Sequence, residues 1–330
     1  MRKKIAILCG GPSSEHEVSL NSARTIFSFL DRDKFEIVIC YISKNLHAKL
    51  LISADQLDEK LDPSTQFLEI LKVLKKENYF ALLAGIHGEF AEDGKLQALL
   101  DILTIPYSGS KVHGSALAMD KYRTSLIAQQ IDGLKFPRTF LLTSTNTFDA
   151  TKISFPIIVK PNALGSSVGV FVANNNKELS VAINSLSKNL HVSEILLQEY
   201  IADSIELSCG TLEKITGEFI ALPPIEIRPK KAELFDYSSK YEVGGSLEIT
   251  PPVSISQKLS SKVSSATIEL HKILGLNTYS RSDFLVKNGE IYFLETNTLP
   301  GMTATSLLPQ EAKAAGISFP DLLEFIIENS

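Results

Sequence analysis

The segment from Phe293 to Ser306 constrains the fold most. In FLETNTLPGMTATS, Glu295 and Asn297 are two residues apart, so on an extended strand both side chains leave the same face. Arg281 and Asp283 in YSRSDFLV repeat that spacing. VKNGE, from Val286 to Glu290, separates the two stretches, and its Asn-Gly marks a hairpin turn, which makes them neighbouring antiparallel strands. Hard oxygen ligands converging in this way suit magnesium and nucleotide phosphates. The bland alternative is a solvated sheet edge with ordinary surface charge. Strand parity separates the two. A simple two-residue turn would pair Asp283 with Leu294 and send Glu295 to the opposite face. A three-residue loop of Lys287, Asn288 and Gly289, with the glycine left-handed in a bulge, puts Arg281, Asp283, Glu295 and Asn297 on one face, and that loop is expected.

The chain of 330 residues is long enough for two or three domains, and 44% hydrophobic with 22% charged residues describes an ordinary globular protein. Its formal net charge of −5 argues against nucleic acid or an anionic membrane as partner. The apolar stretch from Ile5 to Cys9 is too short for a secretory core, and no later run approaches a membrane span. Cys9, Cys40 and Cys209 are odd in number and lack metal-type spacing, so they read as buried free thiols of a reduced cytoplasm.

Strand and helix alternate through the first third: Ile5 to Cys9, a helix near Val18 to Leu30, Phe35 to Ile42, a helix near Phe67 to Leu74, Phe80 to Ile86, and a helix near Leu96 to Leu103. That order predicts a parallel α/β sheet. Ser14 and Glu17 have capping-box spacing before the first helix, which places Gly10 to Ser14 at the carboxyl edge where open sheets bind ligands. GGPSSE lacks a dinucleotide fingerprint, which weakens a dehydrogenase reading. A helix from about Ser115 to Ile131 leads to PIIVKP, then NALGSSVG, then a strand from Val170 to Ala173. Strand, glycine-rich loop, strand is a phosphate-covering flap, with Lys160 on the entering strand aimed at phosphate oxygens. Beyond Glu206 strands dominate, with helices near Gln257 to Leu274 and Phe319 to Ile327. The stretch from Leu46 to Ser64 reads as a variable connection.

Lys160 with K-P-x-x-x-G-S-S-x-G, combined with D…E-x-N downstream, resembles the ATP-grasp fold, in which two α+β domains hold ATP between them. Seven ordered blocks narrow this: GGPSSEHEVS from Gly10, HGEFAEDGKLQ from His87, MDKYR from Met119, KPNALGSSVG from Lys160, DYSSKY from Asp236, SRSDF from Ser280 and ETNTLPGMTATSLLP from Glu295. Together they resemble the D-alanine-D-alanine ligase family over nearly the whole chain. The resemblance implies an N-terminal α/β substrate domain over 1–109, a central ATP-grasp subdomain over 110–198 and a C-terminal one over 199–330.

It further implies ATP as a substrate, D-alanine activated as an acyl phosphate, and two magnesium or manganese ions held by Asp283, Glu295 and Asn297. Lys121, Lys160 and Lys240 match nucleotide lysines, with Ser166 and Ser167 in the glycine-rich loop. Gln198 or Glu199 matches the adenine-side position and Glu206 the ribose carboxylate. Glu15 pairs with the ammonium of the first substrate, where the bland role is a dipole-stabilising first-turn acid. His87 matches a contact to the same substrate. Arg281 and the Gly301 amide would stabilise a tetrahedral oxyanion. Ser166 and Tyr241 link Glu15 to a mobile loop at about Phe235 to Gly245. Ser306 and Leu307 match positions that hold the second carboxylate, although Ser306 has equally the makings of a helix cap.

The product implied is D-alanyl-D-alanine for peptidoglycan precursor synthesis in the cytoplasm. A homodimer and a monovalent cation are expected from the resemblance alone. A second substrate such as D-lactate or D-serine is the nearest rival, and Lys240-Tyr241 favours the dipeptide over an ester. A nucleotide-binding regulator that had lost catalysis would be expected to lack an acid or the arginine, and none is missing.

Overall fold

The computed structural model describes residues 2–59, 61–143, 154–165, 168–229 and 246–330. The chain begins with a sheet in the order β3-β2-β1-β4, built from β1 (Lys3–Gly10), β2 (Phe35–Ile42), β3 (Ala48–Leu51) and β4 (Phe80–Leu82). β1 is parallel to both β2 and β4, and β3 closes the edge antiparallel. Helices α1 (His16–Phe29), α2 (Phe67–Lys76) and α3 (Lys95–Ile102) cross between or follow these strands. The stretch expected as a bare connection contributes β3 and a short 3-10 turn, Ala54–Leu57.

Three local expectations are corrected here. The Ser14–Glu17 capping box does not form. The helix starts one residue later than that pairing needs, Glu15 occupies its N-cap without a side-chain cap bond, and the Glu15 N–H instead donates to Ser13 Oγ at 3.2 Å. β4 is three residues long rather than running to Ile86, because the chain turns into a 3-10 helix over Leu83–Gly85. The single helix expected near Ser115 to Ile131 is two, α4 (Val112–Met119) and α5 (Lys121–Ala128). Asp120 makes the break: its backbone leaves the helical region (φ −85°, ψ 90°) and its carboxylate accepts from Arg123 N, serving α5 better as an N-cap than it would serve a helix interior.

After β5 (Leu134–Lys135), a second sheet follows in the order β6-β9-β7-β8, formed by β6 (Thr139–Thr143), β7 (Ile157–Pro161), β8 (Phe171–Ala173) and, after α6 (Asn176–Asn184), β9 (Glu194–Glu199). Ile157, Val159, Ile195 and Leu197 on one face pack against Leu179, Ala182 and Leu186 of the α6 region. Directly opposed residues point the same way, so Ile158↔Gln198 and Lys160↔Leu196 put Lys160 and Gln198 together on the other face.

The third sheet contains β10 (Ile205–Glu213), β11 (Phe219–Ala221), β12 (Ile225–Pro229) and β13 (Ser246–Ile249). After α7 (Gln257–Ile273) it gains β14 (Tyr279–Lys287) and β15 (Glu290–Asn297), in the order β13-β12-β10-β14-β15-β5 with β11 beside β10. One face, with Leu207, Cys209, Phe284, Val286, Ile291 and Phe293, is sealed by Val263, Ala266 and Leu270 of α7. A helix not foreseen, α8 (Leu307–Ala314), and the terminal α9 (Phe319–Glu328) return to the first sheet. Their Leu308, Ala312, Leu323 and Ile326 share one buried cluster with Ile5, Ile7 and Ile39.

The β14–β15 hairpin corrects the expected loop while keeping its consequence. Lys287 pairs with Glu290, and Asn288 (φ 52°) and Gly289 (φ 77°) alone form the turn, both left-handed as a tight two-residue turn requires. The parity change lies further along the strand. Phe284 pairs with Phe293 but Asp283 pairs with Glu295, so Leu294 is the extra residue of a β-bulge. Phe293 therefore points into the core while Glu295, two residues on, points to the other face.

Candidate active site

That opposite face gathers Glu206 and Ser208 of β10, Arg281 and Asp283 of β14, and Glu295 and Asn297 of β15. Asp283, only 5% exposed, is held from every side. Its Oδ1 accepts from Ser208 Oγ (2.7 Å) and Arg281 Nε (3.0 Å), and its Oδ2 from Arg281 Nη2 (2.9 Å) and Asn297 Nδ2 (3.1 Å). The two-pronged guanidinium contact fixes Arg281 as well as neutralising Asp283. Glu295 pairs with Lys121 Nζ at 3.3 Å, and the same ammonium donates to Leu164 O at 2.6 Å, so Lys121 joins this face to the glycine-rich loop. The helix break at Asp120 is what sets Lys121 at the first turn of α5.

Glu15, 7% exposed, enters from the first sheet at the N-terminus of α1, where the helix dipole favours an anion. It is wedged between two glycines. A Cβ at Gly88 would lie 2.7 Å from Glu15 Oε2, and one at Gly165 2.8 Å from it, so larger residues at either place would collide with the carboxylate. One pocket is lined by Glu15, His87, Lys121, Gly165, Arg281, Glu295, Asn297 and Gly301. Six separate stretches of sequence thus meet at a single cleft.

His87 is in that wall, 2% exposed, with both ring nitrogens engaged: Nδ1 with Leu299 O at 2.9 Å and Nε2 with Ser22 Oγ at 2.8 Å. A carbonyl partner requires the proton on Nδ1, leaving Nε2 to accept from the serine. Burial lowers its pKa, which suits this neutral ring. Sequence reasoning missed Glu92 of the same loop. Its Oε1 accepts from Gly88 N (2.8 Å) and Oε2 from Leu299 N (3.2 Å), while burial, with Glu15 nearby, pushes its carboxyl up to about 8. The available signal was an acid in a loop at the carboxyl edge of a parallel sheet.

Ser306 precedes α8 at the N-cap position, but its hydroxyl turns back, accepting from Thr303 N (3.0 Å) and bonding Thr303 Oγ1 (2.8 Å) rather than capping the helix. A Cβ on Gly301 would lie 2.8 Å from Ser306 Oγ, which places the serine against the pocket wall. Leu307 opens α8. Lys160 and Gln198 are outside the pocket lining, on their own sheet face, where Gln198 Nε2 donates to Thr139 Oγ1 at 3.1 Å. Glu199 points to the other face, where it accepts from Arg138 N at 3.1 Å. Ser166, Ser167, Lys240, Tyr241 and the loop expected at about Phe235 to Gly245 lie outside the described residues.

The free cysteines Cys9, Cys40 and Cys209 are all buried, and burial pushes Cys40 and Cys209 up to about 12, so none is a nucleophile here. No helix among the described residues is long and apolar enough to cross a membrane.

Comparison with known proteins agrees with this geometry. Residues 4–110 match the family model described as D-ala D-ala ligase N-terminus, and residues 140–328 match D-ala D-ala ligase C-terminus. A D-alanine--D-alanine ligase of Leptospira biflexa is 37% identical over 352 residues, covering 99% of this chain and 98% of the relative. A D-alanine--D-alanine ligase from Bacillus anthracis complexed with ATP has 32% identity and a TM-score of 0.76, covering 99% and 97% of the two chains. The VanG D-Ala:D-Ser ligase from Enterococcus faecalis has 27% identity and a TM-score of 0.82 over 99% of each chain. The class is therefore that of ATP-dependent ligases with the ATP-grasp fold. Within it, the chain belongs to the D-alanine-D-alanine ligase family.

Proposed function

We propose that this protein joins two D-alanine molecules into D-alanyl-D-alanine at the expense of ATP, through a D-alanyl phosphate, to supply a peptidoglycan precursor. The observation that carries the proposal is the meeting, in one pocket, of the Arg281, Glu295 and Asn297 face with Glu15 and Gly301. Glu15 receives the ammonium of the first D-alanine. The carboxylate of that D-alanine attacks the terminal phosphorus of ATP and displaces ADP, and the neutral amine of the second D-alanine then attacks the acyl phosphate carbonyl, losing a proton as the amide forms. Arg281, aimed by its fork onto Asp283, and the Gly301 N–H take up the charge of the tetrahedral oxyanion before inorganic phosphate departs. Ser306 and the Leu307 N–H at the start of α8 receive the second carboxylate, a role favoured by the helix N-terminus.

On the nucleotide side, Lys121, Lys160 and Lys240, with Ser166 and Ser167, are assigned to the phosphates. Gln198 is preferred to Glu199 at the adenine side because it shares the face of Lys160, and Glu206 is assigned to the ribose. Ser166 and Tyr241 keep the role the family resemblance gives them, as partners of Glu15. Asp283, Glu295 and Asn297 fit magnesium or manganese: two carboxylates and an amide oxygen are hard donors. Among the described residues no group of three or more His, Cys, Asp and Glu forms a cage of its own, which suits ions that share their ligands with substrate phosphates. Two such ions would neutralise phosphate charge, and Asp283 would trade part of its contact with Arg281 for that role.

The division into 1–109, 110–198 and 199–330 is kept as part of the proposal. It is supported by one sheet falling in each part, with β5 the exception because it pairs with β15. A cytoplasmic site of action, a homodimer and a monovalent cation rest on the family resemblance. Phosphate release from ATP with D-alanine, compared with L-alanine and with D-alanine plus D-serine or D-lactate, tests the function when the product is weighed. D-Alanyl-D-alanine from D-alanine alone is expected. A mixed product that dominates in the presence of D-serine or D-lactate would shift the assignment to that substrate, and ATP binding with no turnover would overturn catalysis.

A further inference from the structure

The backbone of Leu299 is gripped at both its N–H and its carbonyl by one distant loop. Glu92 Oε2 accepts its N–H at 3.2 Å, and His87 Nδ1 donates to its carbonyl at 2.9 Å. The gripping loop is itself braced: Ser13 Oγ donates to His87 O (2.8 Å), Ser22 Oγ meets His87 Nε2 (2.8 Å) and Glu92 Oε1 accepts from Gly88 N (2.8 Å). Leu299 is followed by Pro300, which has no N–H and a fixed φ, and then by Gly301 in the pocket lining. The held Leu299 carbonyl fixes the plane of the Leu299–Pro300 bond, and the fixed φ of Pro300 narrows the freedom left before Gly301, so the grip at Leu299 bears on the direction of the Gly301 amide.

We propose that Glu92 and His87 are positioning residues, a two-sided clamp on the Leu299 backbone that aims the Gly301 amide beside Arg281 at the reacting carbonyl. The inference rests on the ligase reading above. It gives His87 a role through Leu299 rather than through the substrate, since neither ring nitrogen is left over for a ligand. Glu92 is likewise spent on two backbone amides.

The test combines exchange with kinetics on the full chain. Amide hydrogen exchange of the segment holding Leu299 and Gly301, measured without substrates, needs no assumption about activity: Glu92→Gln keeps the shape but faces one backbone N–H with an amide NH2, and exchange there should rise about tenfold or more. Steady-state rates should show kcat reduced about 10- to 100-fold with the KM for D-alanine within about twofold, as expected of a misplaced catalytic group rather than a lost contact. At His87, His87→Asn keeps a donor where Nδ1 stands and should restore much of the rate lost in His87→Ala, whereas His87→Gln, which mimics Nε2, should not. Unchanged exchange in Glu92→Gln overturns the clamp, as does a higher KM with kcat intact or rescue by His87→Gln alone. Failure of the wild-type protein to form any dipeptide, with exchange behaving as expected, would instead sink the ligase reading and with it the catalytic purpose of the clamp.

Discussion

At the residue scale, the sharpest contrast is between two buried acids. Asp283 is surrounded by donors, whereas Glu311 on α8 is fully buried and is approached only loosely, by Ser208 and the Gly210 backbone. Burial pushes the Glu311 carboxyl up to about 8, so near neutrality it is protonated. Because its folded pKa lies above the unfolded value, the folded state binds more protons between about pH 4.5 and 8, and stability falls as pH rises through that window. Glu92 acts in the same direction. Glu311→Gln should therefore match the wild type near pH 5 and exceed it by on the order of 2–4 kcal/mol near pH 8.5 in denaturant unfolding. Parallel stability curves for the two proteins across this range would show that Glu311 is not buried as a neutral acid. Glu311 left no mark in the sequence, because the helix that carries it was not foreseen and packing against Gly210 shows the acid facing inward.

At the element scale, the site depends on the bulge at Leu294 rather than on the Asn288-Gly289 turn. Deleting Leu294 should realign β15, turning either Phe293 out of the core or Glu295 into it, and ATP turnover should disappear. Gly289→Ala places a side chain at φ 77° in a turn far from the pocket, so it should cost about 1 kcal/mol of stability and leave kcat within about twofold. Retained turnover in the deletion would contradict the assignment of Glu295 to the site face. The two-residue spacing of Arg281 with Asp283 and of Glu295 with Asn297 was legible in the sequence, and so was the need for one extra residue between the pairs. Its position was not, since a bulge at the turn and a bulge mid-strand give the same parity. The Asp120 break had a visible cause in an N-cap residue inside a helical pattern, but the apolar run around it masked the interruption.

Across the whole molecule, the first strand and the last two helices share one core, which ties both ends of the chain together. The strand and helix order showed the open sheet and the flap, while contacts such as His87 with Leu299, 212 residues apart, carry no periodicity and became visible only in three dimensions. The proposed chemistry turns on one step: the carboxylate of a D-alanine, seated with its ammonium on Glu15, is activated by taking the terminal phosphoryl group of ATP. Supplying D-alanine labelled with heavy oxygen in its carboxylate and weighing the inorganic phosphate released tests that claim most directly. The account predicts heavy oxygen in the phosphate in step with dipeptide formed, and unlabelled phosphate, or label appearing in AMP, would contradict it.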